Sequence, residues 1–400
     1  MMRIQPCFNS KLTLLLRPRT ATRTPTPPTA TMFRSSVLRS LRNVAPSTRA
    51  FSTSAVAEAE KKIALIGARG YTGQALISLV NAHPSLVISH VSSRELAGKP
   101  LDGYSKAQIT YSNLSPEDIK NMEAEGEVDA WVMALPNGVC KPMVESVLAG
   151  AKKAGKKNSV VVDLSADYRF DEPRDTNWIY GLPELNDRSK ISQATLISNP
   201  GCYATGAQLA LAPLIPHLSS PPTVFGVSGY SGAGTKPSPK NDTTNLQDNL
   251  IPYSLTDHIH EREISHRLGS KVAFIPHVGQ WFQGISLTVS IPLAKTMTSR
   301  EIRNLYTEFY ASEKLVEIIG EEPSVKDIAG QHGVRIGGFG VNQAGDRVVV
   351  VATIDNLLKG AATQCLQNLN LALGVGEFDG IPLMGSGERL IVPAVNVHQK

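Results

Sequence analysis

The stretch that most constrains this chain is Lys62-Ile63-Ala64-Leu65-Ile66, followed by Gly67-Ala68-Arg69-Gly70-Tyr71-Thr72-Gly73 and then an apolar helical run from Gln74 to Val80. A short apolar run with a β-branched residue reads as a buried strand, and the run after the glycines has the composition of a helix. Strand, glycine turn and helix in that order form the first unit of a dinucleotide-binding fold. Glycines permit a tight turn and a close approach of backbone to pyrophosphate, and the helix N-terminus favours its negative charge. Gly67, Arg69, Gly70, Tyr71, Thr72 and Gly73 are therefore expected at a cofactor. The next strand, Val87 to Val91, ends in Ser92-Ser93-Arg94. A domain selective for NAD places a carboxylate there, on the ribose 2′-hydroxyl, whereas hydroxyls and a guanidinium suit a 2′-phosphate. NADP(H) is the expected cofactor, the alternative being that Arg94 is an ordinary solvated loop residue.

The alternation continues through Ala130 to Leu135 and Ser159 to Leu164, apolar runs of the length of buried parallel strands. In such sheets the ligand lies outside the carboxyl ends of the strands, which points Pro136-Asn137-Gly138 and Ser165-Ala166-Asp167-Tyr168-Arg169 toward it. Tyr180-Gly181-Leu182-Pro183-Glu184 reads as a turn. Further on, 223–228, 287–291, 335–341 and 347–354 alternate like strands with one solvated face, and 357–373 reads as one broad apolar helix. The long loop from Ser228 to Asn249, rich in glycine and hydroxyls, has the character of a functional loop. The expected fold is α/β: a Rossmann-type doubly wound NADP-binding domain (61–201 with 355–386) and an α+β domain (202–354) with a largely antiparallel sheet. Residues 387–400 would be a tail.

Two candidate reactive groups stand out. Asn199-Pro200-Gly201-Cys202-Tyr203-Ala204-Thr205 follows a short strand and opens an Ala/Leu-rich helical run. A thiol at a helix start meets unpaired N–H groups and the positive dipole end, so its pKa is expected below its free value of about 8.5. A buried, inert cysteine is the alternative. The densest titratable cluster is His258-Ile259-His260 with Glu263 and His266. On a helix Glu263 would orient His260 at i,i+3, and a histidine with a carboxylate partner is the usual base for a cysteine nucleophile. His277 is a second candidate base. A solvated helix face would look the same, while a metal site lacks a convergent Cys/Asp set.

Composition supplies the limits. The 400 residues, 42% hydrophobic and 19% charged, are ordinary for a globular chain of about two domains. Residues 1–57 hold nine Lys/Arg and no Asp or Glu, more than the whole formal charge of +5, so the remainder carries −4. Nothing in that balance suggests nucleic acid. The four widely spaced cysteines form neither a disulfide framework nor a metal knuckle, and no apolar run approaches the roughly 18 residues that span a bilayer. The basic, acid-free start has the composition of a transit peptide (1–51), with a basic amphipathic stretch from Met32 to Asn43, a processing signal around Arg49-Ala50-Phe51-Ser52, and Met32 as a possible internal start. A mitochondrial matrix location is expected.

From about Lys61 to Leu383 the chain resembles the N-acetyl-γ-glutamyl-phosphate reductases, within the aspartate-semialdehyde dehydrogenase superfamily. The resemblance rests on eight stretches in order: Gly67 to Gly73, Ala134 to Gly138, Asp163 to Arg169, Tyr180 to Glu184, Asn199 to Thr205, Ser228 to Gly234, His258 to Ile264, and Lys359 to Asn370. The sister aspartyl-phosphate enzymes tend to carry Asn-Cys-Ser/Thr at the nucleophile, which Gly201-Cys202-Tyr203 does not match. The resemblance implies NADPH-dependent reduction of an acyl phosphate through a Cys202 thioester, with His258 as the proton carrier and His260 in support. It adds Pro136, Ser165 and Asn368 as cofactor residues, and Asn137, Arg169, Ser231, Gly232, Lys236 and Glu263 as substrate residues. A homo-oligomer, dimer or tetramer, is implied, and the α+β domain (202–354) is assigned catalysis and dimerisation by the same resemblance. Thr235, where many members carry a basic residue, resembles the fungal branch, in which the reductase commonly follows acetylglutamate kinase in one precursor. Here the presequence runs straight into the reductase, so the expected kinase partner is a separate chain. The rivals are a non-catalytic NADP-sensing protein and an aspartate-semialdehyde dehydrogenase.

Overall fold

The structure is a computed structural model that describes residues 60–171 and 176–394. The transit peptide, Met32 and the processing signal lie outside the described residues, as does the end of the tail. Among the described residues the strands are β1 Lys61–Ile66, β2 Leu86–Ser92, β3 Ala130–Met133, β4 Val160–Asp163, β5 Trp178–Tyr180, β6 Leu196–Ser198, β7 Thr223–Gly229, β8 Ile251–Pro252, β9 Ala273–Gly279, β10 Ile285–Pro292, β11 Val316–Ile318, β12 Val334–Val341 and β13 Arg347–Ile354. The α-helices are α1 Tyr71–Ala82, α2 Pro116–Glu125, α3 Lys141–Ala154, α4 Arg188–Gln193, α5 Cys202–Leu211, α6 Thr243–Leu246, α7 Ile259–Leu268, α8 Ser299–Phe309, α9 Val325–Ile328 and α10 Thr363–Leu373.

The first six strands form a parallel sheet in the order β2-β1-β3-β4-β6-β5. Their apolar runs are buried because helices cover both faces, which is why they read as continuous rather than alternating. The strand order reverses between β1 and β3, so a crevice opens at their carboxyl ends. Gly67 sits there at φ +85°, and a Cβ on it would lie 2.2 Å from the Ala134 carbonyl oxygen just past β3. Only glycine meets both demands, the left-handed backbone and the missing side chain.

The other seven strands form a mixed sheet, β11-β12-β13-β10-β7-β9-β8. Four of its six pairings are antiparallel, and β7–β9 and β11–β12 are parallel. The expected largely antiparallel sheet is present with two exceptions, because the chain between β7 and β9 runs out through the long loop and α7 before returning. The inward residues Val224, Phe274, Leu287, Val289, Val350 and Ala352 pack with α5 in one core. Helix α5 is buried almost all round, so its first residue is carried on a rigid rod.

Three local expectations are corrected. Tyr180 ends an edge strand, β5, rather than starting a turn. The helix expected over 357–373 begins as a π turn, Leu358–Ala362, before α10, and this turn lies against Cys202 through Gly360. Part of the expected tail is tied down: Val392 is buried and its N–H donates to Gln283, while the Leu390 N–H donates to the Gly330 carbonyl.

Candidate active site

The turn that carries Cys202 is held from four sides. Asn199 donates its backbone N–H to Asp163 at the end of β4 (2.7 Å) and its Nδ2 to the Ala361 carbonyl (3.3 Å), and its carbonyl accepts from Arg169 Nε (2.9 Å). The Gly201 N–H donates to Glu263 Oε1 (2.9 Å). Gly201 is the N-cap of α5 and has no side chain to satisfy the helix N-terminus, which leaves that end open beside the sulfur. A Cβ on Gly201 would fall 2.3 Å from His260 Nε2 and 2.6 Å from Arg169 Nη1. His260 and Arg169 thus close on the Cys202 turn through the space a side chain would occupy.

The thiol does not behave as its helix position alone suggests. Burial pushes the Cys202 thiol up to about 11; the Tyr203 N–H and the Arg169 guanidinium pull the other way, and the Glu263 carboxylate adds to the rise. Desolvation of a thiolate outweighs the partial charge of a helix end. The correction means a neutral thiol in the resting protein, so ionisation needs a base.

Both histidines reach the same cleft, although two positions apart on a helix they would diverge by about 200°. His258 lies outside the helix: it is the N-cap of α7, with extended ψ of 142°, and its Nδ1 accepts the His260 N–H (3.1 Å). The two rings then meet at 4.9 Å. Burial lowers the His258 imidazole to about 4, helped by the Lys240 ammonium and opposed by Glu261. Burial, Arg169 and His258 hold His260 well below its usual value. Both rings are neutral near pH 7 and so present a lone pair to a proton, at a basicity that burial reduces. Glu263 does not orient His260, as its spacing suggested. Its carboxylate, fully buried, takes Arg169 Nη1 (3.1 Å), the Tyr180 hydroxyl (2.7 Å) and the Gly201 N–H, and His260 Nδ1 is left without a partner.

A cleft of about 680 Å³ joins these groups to the dinucleotide turn. Of the residues singled out in the sequence, Gly70, Tyr71, Thr72, Gly73, Pro136, Asn137, Arg169, Cys202, Ser231, Gly232, Lys236, His258 and His260 line it. Helix α1 starts from Gly70 with no side-chain cap, an open N-terminus facing a cleft and suited to a pyrophosphate. Arg94 is exposed at the end of β2. Arg69 pairs with Glu95 and donates to the Thr235 hydroxyl (3.3 Å), linking the turn to the long loop.

Other expected residues have partners within the protein. The Ser92 hydroxyl accepts from the Leu114 N–H, and Ser165 is buried on Asp163 (2.7 Å). Asn368 is fully buried and donates to the Gly181 carbonyl (2.9 Å) and Asn199 Oδ1 (3.0 Å), bracing the nucleophile turn from behind. Three of Arg169's N–H groups are engaged by Asn199, Glu263 and Leu164. His277 packs at a tilt against Phe225 (4.4 Å) off the cleft. Sequence reasoning missed Lys240, Tyr253 and Asn356. The Lys240 ammonium lies 4.5 Å over the Tyr253 ring, and Tyr253 itself neighbours Cys202 and the Tyr203 hydroxyl. Asn356 Nδ2 donates to the Ser231 hydroxyl (2.9 Å). Only folding brings the long loop onto this wall.

A parallel dinucleotide-type sheet, a mixed sheet and a cysteine at the helix start between them define the semialdehyde dehydrogenase class. Residues 62–194 match the family model of the semialdehyde dehydrogenase NAD binding domain, and 202–356 that of the semialdehyde dehydrogenase dimerisation domain. The solved aspartate semialdehyde dehydrogenase II of Vibrio cholerae shares the fold, with TM-score 0.63 at 16% identity over 79% of this chain and 98% of that one. Protein arg-6, mitochondrial, of Neurospora crassa is 67% identical over 323 residues, 81% of this chain. The N-acetyl-gamma-glutamyl-phosphate reductase of Stenotrophomonas maltophilia is 51% identical over 80% of this chain and 98% of its own length. The chain belongs to the N-acetyl-γ-glutamyl-phosphate reductase family. It spans 36% of the length of the Neurospora protein and 37% of a Candida albicans relative, both named as mitochondrial.

Proposed function

We propose that this protein reduces N-acetyl-γ-glutamyl phosphate to N-acetylglutamate 5-semialdehyde with NADPH, releasing phosphate, as a step of arginine biosynthesis. The observation that carries the reading is one cleft holding Cys202 at a helix start, two neutral histidines and the open N-terminus of α1. As Sγ attacks the acyl carbon its proton passes to a neutral imidazole; the C–O bond to phosphate then breaks, the phosphate takes a proton from solvent as it leaves, and a thioester remains. The dinucleotide, when bound, supplies hydride to the thioester carbonyl. The imidazolium protonates the oxygen that gains charge; collapse then breaks the C–S bond, freeing the aldehyde and returning a proton to the sulfur. NADPH oxidation followed at 340 nm with the acyl phosphate tests this. No turnover would leave the non-catalytic NADP-sensing reading standing, and turnover with aspartyl phosphate instead would favour the sister dehydrogenase.

Cofactor residues follow the same reading: Gly67, Arg69, Gly70, Tyr71, Thr72 and Gly73 form the pyrophosphate turn, and Ser93 and Arg94 meet the 2′-phosphate. Loss of a charge-assisted contact costs about ten- to hundredfold in affinity. Arg94→Ala should raise the KM for NADPH by that factor and leave the KM for NADH unchanged; equal effects on both would move Arg94 off the 2′-phosphate.

We assign the proton carrier to His258, with His260 in support. His260 is favoured as a second reading by one observation: its Nδ1 is unpartnered, whereas His258 Nδ1 caps α7. Asparagine is a good N-cap, so His258→Asn should keep the helix while abolishing the limb of the kcat/KM pH profile that the acid/base controls. His260→Asn should mainly raise KM. The reverse pattern transfers the role to His260.

The boundaries 61–201 with 355–386, and 202–354, are proposed as the cofactor and catalytic domains, and the second, matched by a dimerisation model, as the seat of a homodimer or tetramer. A matrix location and association with acetylglutamate kinase complete the reading.

A further inference from the structure

The cleft wall has an unbalanced charge. Arg169, Lys236 and Lys240 line it, and among the described residues no aspartate or glutamate does. Arg169 is neutralised from behind by Glu263 at 3.1 Å. Lys236 is exposed, and its loop is fixed by backbone: the buried Asn241 donates to the carbonyls of Gly234 (2.9 Å) and Lys236 (2.8 Å) and accepts from the Ser238 N–H (2.8 Å). Lys240, adjoining that buried asparagine, is only partly exposed, and among the described residues no carboxylate pairs with it. Its ammonium is held 4.5 Å over the Tyr253 ring, and that ring in turn packs at 5.5 Å on His258. A cation held on an aromatic face keeps its hydrogen-bond donors for another partner.

We propose that Lys240 is a substrate-binding residue, the cation that receives an oxyanion of the substrate beside His258 and Cys202. The inference rests on the reductase reading and deepens it. The acyl phosphate carries two oxyanions, a phosphoryl group and a carboxylate, and the same ammonium chemistry suits either. Binding of either also neutralises the positive charge that faces His258, so occupancy raises the basicity of that imidazole just when Cys202 must lose its proton. The other groups facing His258 are Glu261 and His260 on α7, Tyr253 after β8 and the Phe274 ring on β9. Of these, none is a cation that an incoming anion would cancel.

Lys240→Met in the full-length protein, with Lys240→Arg as the charge-conserving control, tests this. The methionine variant should raise the KM for the acyl phosphate about ten- to hundredfold, leave the KM for NADPH unchanged, and move the acid limb of kcat/KM to higher pH, because the free His258 is then easier to protonate. Lys240→Arg should recover most of the loss. Run in reverse, the reaction separates the two anions: a raised KM for inorganic phosphate places the phosphoryl group on Lys240, and a raised KM for the semialdehyde places the carboxylate there. An unchanged acyl-phosphate KM, an equal rise for NADPH, or an arginine variant as impaired as the methionine one would overturn the proposal. Wild-type protein that fails to turn over the acyl phosphate would instead remove the reductase reading on which the proposal rests.

Discussion

Cys202→Ser is expected to lower turnover by several orders of magnitude while NADPH affinity, measured by fluorescence titration, stays near wild type. The sulfur sits at the start of α5 beside the cofactor turn, so the swap removes one polarisable atom and changes little of the cleft. A serine hydroxyl has a far higher pKa than even this raised thiol and a less polarisable nucleophilic atom, so the proton transfer that accompanies attack becomes much less favourable. The same geometry predicts how the wild-type thiol behaves alone. With burial holding it up to about 11, alkylation by iodoacetamide should be slow at pH 7 and keep climbing through pH 9 and 10, instead of levelling off near 8. A variant retaining a tenth of wild-type turnover would sink the covalent route, and an alkylation rate that levels off near pH 7 would sink the resting neutral thiol.

Glu263→Ala should have the largest effect on stability, about 3–5 kcal/mol in chemical denaturation. The reason is the state of its partner: removing the carboxylate leaves the Arg169 guanidinium buried and uncompensated. It also strands the Gly201 N–H and removes the acceptor of the Tyr180 O–H, both bonded to the same Oε1, although the Tyr180 oxygen still accepts from Gln208 Nε2 (2.7 Å). Because Gly201 precedes the nucleophile, kcat should fall along with stability. A variant that folds with wild-type stability and shows only a raised substrate KM would restore Glu263 to the substrate-binding role that the family resemblance implied.

How far the sequence reached differs from element to element. The β1–turn–α1 unit was legible because its causes are local: an apolar run of strand length, glycines where the backbone must approach closely, a helix former afterwards. The same holds for the strand-then-helix pattern around Cys202. Strand β5 and helix α7 were less legible. Tyr180-Gly181-Leu182-Pro183 has turn composition, yet Trp178–Tyr180 pairs with β6, a tertiary choice that local propensity does not encode. Ser165 and Asn368 carry polar side chains in stretches near the site, but their hydrogen bonds point into the protein.

What the sequence determined by itself was the order of elements, the kind of cofactor turn, and the candidate cysteine and histidine pair, since each depends on residues adjacent in the chain. What only the tertiary structure decided was how those groups behave. The thiol's ionisation is set by burial rather than by the helix end it occupies. Glu263 serves Arg169 and Gly201, which are 94 and 62 positions away, instead of the histidine three residues before it. Lys240 reaches His258 only because a loop folds back over Tyr253. Desolvation and long-range hydrogen bonds depend on which segments meet, and spacing along the chain carries no record of that.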